Sequence, residues 1–178
     1  MSTTEQQDTI PSGTFNADTV HSSVSFEVGY MGIGKFNAEV TTFEARLADG
    51  VLSGAAQIET LEVKNPDFHA HLMAPDFFDA ANHPTVSFST TSSSAQGNEI
   101  VFDGEITIRG TSLPATLHGS VTGPVTDPYG NTRYGLKLST TIDRAAYGIT
   151  WNADMPDGTK ALANEVTLSA ELSLVEAS

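Results

Sequence analysis

The chain has no cysteine. Disulfides, a thiolate nucleophile and zinc–thiolate sites are therefore excluded. Basic residues are also scarce, 8 against 22 acidic ones, for a net charge of −14. Such a surface repels nucleic-acid phosphates and anionic lipid headgroups, so no nucleic-acid partner is expected and the acidity reads as solubility. No apolar run approaches the roughly 20 residues of a membrane helix. The opening segment, Met1 to Ser12, is polar, without a basic start or an apolar stretch. It reads as a disordered lead-in, residues 1–12, before one domain at 13–178. No signal peptide and no stable membrane insertion are expected, and the expected location is cytoplasmic.

What the chain does have is alternation. Val24, Phe26, Val28 and Tyr30 alternate with Ser25, Glu27 and Gly29. Ile100, Phe102, Gly104, Ile106 and Ile108 do the same against Asp103, Glu105 and Thr107, and so do Val166, Leu168, Ala170, Leu172 and Leu174 against Thr167, Ser169 and Glu171. Side chains of a strand point to opposite faces in turn, so each segment has one apolar and one polar face. Eight such segments are predicted, at about 14–30, 34–48, 51–62, 84–92, 98–109, 113–123, 131–143 and 164–176. Short connections at Ala48-Asp49-Gly50, Gln96-Gly97-Asn98, Gly110-Thr111-Ser112 and Pro128-Tyr129-Gly130-Asn131 make sequential hairpins. An amphipathic sheet of this kind hides its apolar face and its edges by closing, which predicts an all-β, eight-stranded antiparallel up-and-down barrel. A phase shift at Thr41–Thr42 predicts a β-bulge. An outer-membrane barrel would show the same alternation, but the apolar faces lack aromatic girdles.

Two connections are long, Val63–His83 and Arg144–Ala163. In the first, Asn65 is placed to cap and Pro66 fits the first helical position. Phe68, Leu72 and Met73 share a face, predicting one short helix in the 63–83 connection that ends near Pro75. Asp76-Phe77-Phe78-Asp79 follows and is expected to close or line one barrel end.

Small residues recur on the apolar faces: Gly54 and Ala56, Gly104, Ala115 and Gly119, Ala170. Either a thin apolar tunnel or a barrel filled by Phe and Leu from opposite strands satisfies this pattern. The histidines do not make a metal site: His69 and His71 diverge on a helix, and His21 and His83 have no ligand spacing. Asp76 and Asp79 read as turn or cap residues. Asp143-Arg144, just after a strand, is compatible with a fixed ion pair at the barrel rim, and a local structural role is the reading preferred. No Gly-x-Ser-x-Gly, phosphate loop or dinucleotide fingerprint occurs, so no enzymatic activity is expected.

Several segments, in order, resemble the YceI-like family. They are Asp18-Thr19-Val20-His21-Ser22-Ser23-Val24-Ser25-Phe26, then His71-Leu72-Met73-Ala74-Pro75-Asp76-Phe77-Phe78-Asp79 with His83-Pro84-Thr85-Val86-Ser87-Phe88, then Gly104-Glu105-Ile106-Thr107-Ile108-Arg109-Gly110, and Ile142-Asp143-Arg144-Ala145-Ala146-Tyr147-Gly148. The resemblance implies a lipocalin-like barrel that binds a long apolar chain: a polyisoprenoid, an isoprenoid quinone or a similar amphiphile. The family's Arg-Asp before His-Leu is here Pro66-Asp67-Phe68-His69-Ala70, and its basic residue after His-Leu is Met73. These departures suit a neutral head better than a pyrophosphate.

The function expected is non-enzymatic binding, transport or storage of such a lipid, with no cofactor beyond it. The ligand wall is expected from Phe26, Val28, Phe36, Leu52, Ile58, Phe88, Phe102, Ile106, Ile108, Leu138 and Ile142, with Phe77, Phe78 and Trp151 at a mouth. Two alternatives stand beside it: a lipid-modifying enzyme using His21 or Asp76 as base, and a packed-barrel stress or regulatory protein without ligand. A homodimer through a strand face or the long loops is compatible with the pattern.

Overall fold

A computed structural model describes residues 10–177. Eleven strands form one closed antiparallel sheet: β1 (Thr14–Ala17), β2 (Ser23–Tyr30), β3 (Gly34–Val40), β4 (Phe43–Ala48), β5 (Val51–Gln57), β6 (Leu61–Glu62), β7 (Thr85–Gln96), β8 (Glu99–Ile108), β9 (Thr111–Thr126), β10 (Thr132–Asp143) and β11 (Leu162–Glu176). They make eight staves, because three staves are interrupted. β1 and β2 both pair with β11, β3 and β4 pair with β2 and β1 respectively, and β5 and β6 pair with β4 and β3. Every other neighbour follows in sequence, so the sheet is the meander read from the alternation.

The interruption at Thr41–Thr42 falls where the phase shift puts a bulge. Gln57 N donates to Thr42 O there, and Thr42 N donates to Thr60 Oγ1. The interruption at Asp18–Ser22 has no phase signal; side chains bridge it instead. Asp18 N donates to Ser173 O, Ser22 Oγ donates to Asp18 O, and Ser173 N donates to Ser22 Oγ. The Asp18 carboxylate meets His21 Nδ1 at 2.8 Å and Arg133 Nη1 at 3.1 Å. Arg133 Nε also donates to Asp127 at 2.7 Å, tying the β9–β10 turn to the same spot.

The tight turns use the residues that tolerate positive φ: Asp49 and Gly50, Gly97, Gly110 and Gly130. Helix α1 (Pro66–Met73) starts at Asn65, whose side chain accepts from the Asp67 and Phe68 amides, with Pro66 in the first turn. Of the lead-in expected over 1–12, residues 1–9 lie outside the described residues. Ile10 packs against the lower core and Pro11 is buried, so packed chain begins before residue 13. Asp143 and Arg144 take the local structural role preferred from the sequence, without an ion pair between them. Asp143 caps the 3-10 turn Arg144–Tyr147 by accepting from Ala145 N, and Arg144 turns inward. Among the described residues no helix is long and apolar enough to cross a membrane.

The small residues serve two ends, and Gly54 serves both, since a Cβ on it would stand 2.9 Å from Glu44 O. Gly54 and Ala56 face the interior space described below. Gly104 and Gly119 serve backbone contact alone: a Cβ on Gly104 would run into Ser89 O, and one on Gly119 into Lys137 O. Gly119→Ala is expected to destabilise the barrel by about 1–3 kcal/mol, as overpacking does, read from a lowered denaturant midpoint.

Acid provides a second check. The Asp18 carboxyl is held at about 2 by His21 and then Arg133, and that of Asp127 at about 2 by Arg133 and then the Asn131 amide. Groups depressed below their ordinary 3.8 favour the folded state above that pH, and the contribution fades as pH falls toward about 2. Melting temperature should therefore fall across that window, and Arg133→Met should flatten the fall.

Candidate functional site

The barrel is packed at one end and hollow at the other. In the lower half, Phe15, Leu47, Leu52, Ile100, Phe102, Leu136, Leu138, Leu172 and Leu174 form one cluster. Phe102, Leu47, Ile100, Leu136 and Leu174 are fully buried, and the Phe15 ring meets Tyr134 edge-on at 5.3 Å. Bulk from opposing staves meets across the axis and closes that end.

Above it lie two neighbouring cavities of about 150 and about 130 Å³. They share Val24, Ala56, Val86 and Leu168 in their walls. The upper cavity is bounded by Phe26, Val28, Phe36, Val40, Ile58, Leu61, Phe68, Leu72, Phe77, Phe78, Ile108, Ile142, Ile149, Leu162 and Val166, with Ser25 and Arg144 as its polar members. The lower one reaches Leu52, Gly54, Phe88, Ile106, Leu117, Leu138, Ala170 and Leu172.

A lid covers the upper cavity. It comprises α1 and the following turns as far as His83. Phe68 stacks edge-on against Phe36 of β3 at 4.8 Å, and Phe78 meets Phe26 of β2 at 6.1 Å. Leu72 and Phe77 are buried with Ile106, Ile108, Tyr147 and Ile149. Tyr147 also donates its hydroxyl to Ile106 O at 3.2 Å, and burial raises its pKa. Polar bonds fix the lid's ends. His69 Nε2 lies 3.1 Å from Glu59 O, and Asn82 donates to the Asp79 carboxylate. His71 sits 3.4 Å from Asp76, and its ring meets those of Phe77 and Trp151 edge-on at 4.9 Å each.

Of the wall expected from sequence, Phe26, Val28, Phe36, Ile58, Phe77, Phe78, Ile108 and Ile142 line the upper cavity. Leu52, Phe88, Ile106 and Leu138 line the lower. Phe102 lines neither, because its position on β8, opposite Leu117 and Ser93, puts it in the packed half. Trp151 lines neither as well; it lies on the second long connection and packs on the lid through His71 and Phe77. Val24, Val40, Ala56, Val86, Val166 and Leu168 were signalled by the same alternation, at inward positions on their staves. Arg144, a charged residue in the apolar wall, had no such signal. The two residues weighed as a base lie outside both cavities: the His21 side chain is 70% exposed and that of Asp76 60%.

Ala56 stands where the cavities meet. Ala56→Leu should fill the junction and leave the melting temperature unchanged or higher. Fluorescence of anilinonaphthalene sulfonate added to the protein should fall with it.

The comparisons with known proteins agree with this architecture. Residues 15–174 match the YceI-like domain. A UPF0312 protein of Shewanella denitrificans is 27% identical over 137 residues, covering 72% of each chain. Protein YceI of Escherichia coli O157:H7 is 24% identical over 136 residues, covering 72% of this chain and 71% of its own. Among solved structures, Burkholderia cenocepacia BcnA superposes with a TM-score of 0.74 at 18% identity, covering 88% of this chain and 98% of that one. A polyisoprenoid binding domain from Saccharophagus degradans superposes with a TM-score of 0.72 at 9% identity, covering 92% and 98%. With the family's domain matched across nearly the whole barrel, this chain belongs to the YceI-like family.

Proposed function

We propose that this barrel is a non-enzymatic carrier or store for a long apolar molecule, a polyisoprenoid, an isoprenoid quinone or a similar amphiphile. The observation that carries the reading is the pair of apolar cavities under a lid, above a packed floor. The polyisoprenoid binding domain of the same fold supports it. So does the exposure of His21 and Asp76, which keeps both away from a buried substrate.

The mechanism is burial. An isoprenoid tail offers several hundred Å² of apolar surface, worth on the order of 10 kcal/mol gross at about 25 cal/mol per Å². Ordering the chain and losing its free motion take back much of that. A dry apolar cavity of roughly 150 Å³ admits a molecule the size of benzene. A chain of several isoprene units therefore needs the Phe26, Phe36, Phe68 and Phe78 rings to part. Lid and cargo are coupled on this reading, and specificity is loose because apolar walls read width and length.

Protein purified from its own organism should show a stoichiometric adduct by native mass spectrometry. Organic solvent should extract it as a long-chain lipid. Bare mass, no extractable lipid and no binding of added isoprenoids would overturn the reading. Trp151, the chain's single tryptophan, touches the lid through Phe77, so loading should also shift its emission.

A further inference from the structure

The lidded end of the barrel carries an apolar point that the fold itself does not cover. The β2–β3 hairpin turns at Tyr30-Met31-Gly32-Ile33, and Tyr30, Met31 and Ile33 are all exposed. From Val28 to Gly34 no residue is charged. The two charges that flank this run, Glu27 and Lys35, pair with each other at 2.8 Å. The tip is held in place: Met31 N donates to Ala161 O at 2.6 Å, and Ile33 N donates to Tyr30 O at 3.3 Å. Helix α1 meets this hairpin where Phe68 packs on Phe36, three residues along from Ile33. The tip therefore runs on from the lid contact by up to about 10 Å of strand.

The turn does not ask for these side chains. Met31 has φ +57° and Gly32 has φ +72°. Two successive left-handed residues in a hairpin favour Asn-Gly, and the Cβ of Met31 crowds its own backbone there. A methionine at that position and an exposed isoleucine two residues on give up both turn stability and solubility. Exposed apolar clusters of this kind mark contact with something outside the chain.

A second apolar group, Val20, Val125 and Tyr129, is exposed at the packed end. It differs in charge. The Val20 amide donates to the Asp18 carboxylate and the Tyr129 amide to that of Asp127. Both carboxyls are held at about 2, so they stay ionised and resist transfer out of water. The hairpin tip has no such ion to transfer. It is also small for a protein partner. A stable interface takes about 800 Å² per side, and three side chains on one turn offer a fraction of that. A bilayer accepts an apolar point of any outline, and tyrosine suits its interface.

We propose that Tyr30, Met31 and Ile33 form a foot on which the barrel stands, reversibly and lid end down, on the surface of a zwitterionic bilayer. An anionic surface is disfavoured by the net charge of −14 and by the exposed lid carboxylates Asp67 and Asp76. Apolar side chains at such a surface sit at the boundary of headgroups and acyl chains, without spanning. The purpose of the docking rests on the carrier reading, since a long apolar cargo resides in a bilayer. The docking itself is measured without cargo.

A chain without cysteine lets a single one be placed for labelling. Ile33→Cys and, at the packed end, Tyr129→Cys are matched in exposure, at 93% and 87%. Each full-length variant is labelled with nitrobenzoxadiazole and mixed with phosphatidylcholine vesicles. Emission should brighten and shift to the blue from position 33 and hold at position 129. Unlabelled wild type should float with the same vesicles. Met31→Asn combined with Ile33→Ser should weaken that partition roughly tenfold, as the loss of two inserted apolar side chains allows. The melting temperature of this variant should hold or rise, because Asn suits the turn. No flotation, equal shifts at both positions, flotation that requires phosphatidylglycerol, or flotation that survives the double substitution would overturn the foot. A dimer in sedimentation that the double substitution dissociates, with no flotation, would overturn it too and give the tip to a second copy. Vesicles that also carry geranylgeraniol separate the foot from the carrier reading. Docking with no geranylgeraniol on the recovered protein strikes the carrier reading alone; uptake without docking strikes the foot alone.

Discussion

Closure of the sheet along β11 is the constraint from which the rest follows. β11 pairs with β10 on one side over eleven residue pairs and with β2 and then β1 on the other. Once that seam is made, eight staves fix a width, and every second side chain must face the same narrow interior. The seam is also where the most elaborate polar bonding lies. Arg133, Asp18, Ser22 and Ser173 hold the interrupted first stave against β11, where a plain ladder would have run.

Given a fixed width, side-chain size decides what the interior becomes. Toward one end, large residues from opposing staves meet and exclude all space. Toward the other, Gly54, Ala56 and Ala170 leave room that the opposing aromatics do not fill. Four phenylalanines bridge the rim to the lid in edge-on or tilted contacts. Such contacts are specific in direction and weak one by one. The lid is thus seated by several modest interactions, with Trp151 bracing it from outside through His71 and Phe77.

Much of this was legible in the sequence. The alternation on each stave told which residues face inward, and the Asp49-Gly50 and Gly130 turns gave the meander. Asn65-Pro66 marked the start of the helix. Depth was not legible. Alternation places Phe102 and Phe88 on the same inner face of the sheet, but which end of the barrel is packed depends on what stands across the axis. Nor does a two-residue period tell Gly104, which only admits a neighbouring backbone, from Gly54, which also borders a cavity. Arg144 was hidden for a different reason. Its neighbour Asp143 suggested an ion pair, whereas carbonyls of the second long connection claimed the guanidinium. Those carbonyls come together only in three dimensions.

The packed floor has a consequence for traffic. A sleeve open at both ends passes a chain through; a thimble does not. Phe102, Leu136 and Leu174 fill one end, so on the proposed carrier reading a bound molecule enters and departs at the lid. Loading and unloading are then the same motion run in opposite directions. The last atoms in are the first out, so the receiver of any cargo meets it by the end that lay beneath the lid.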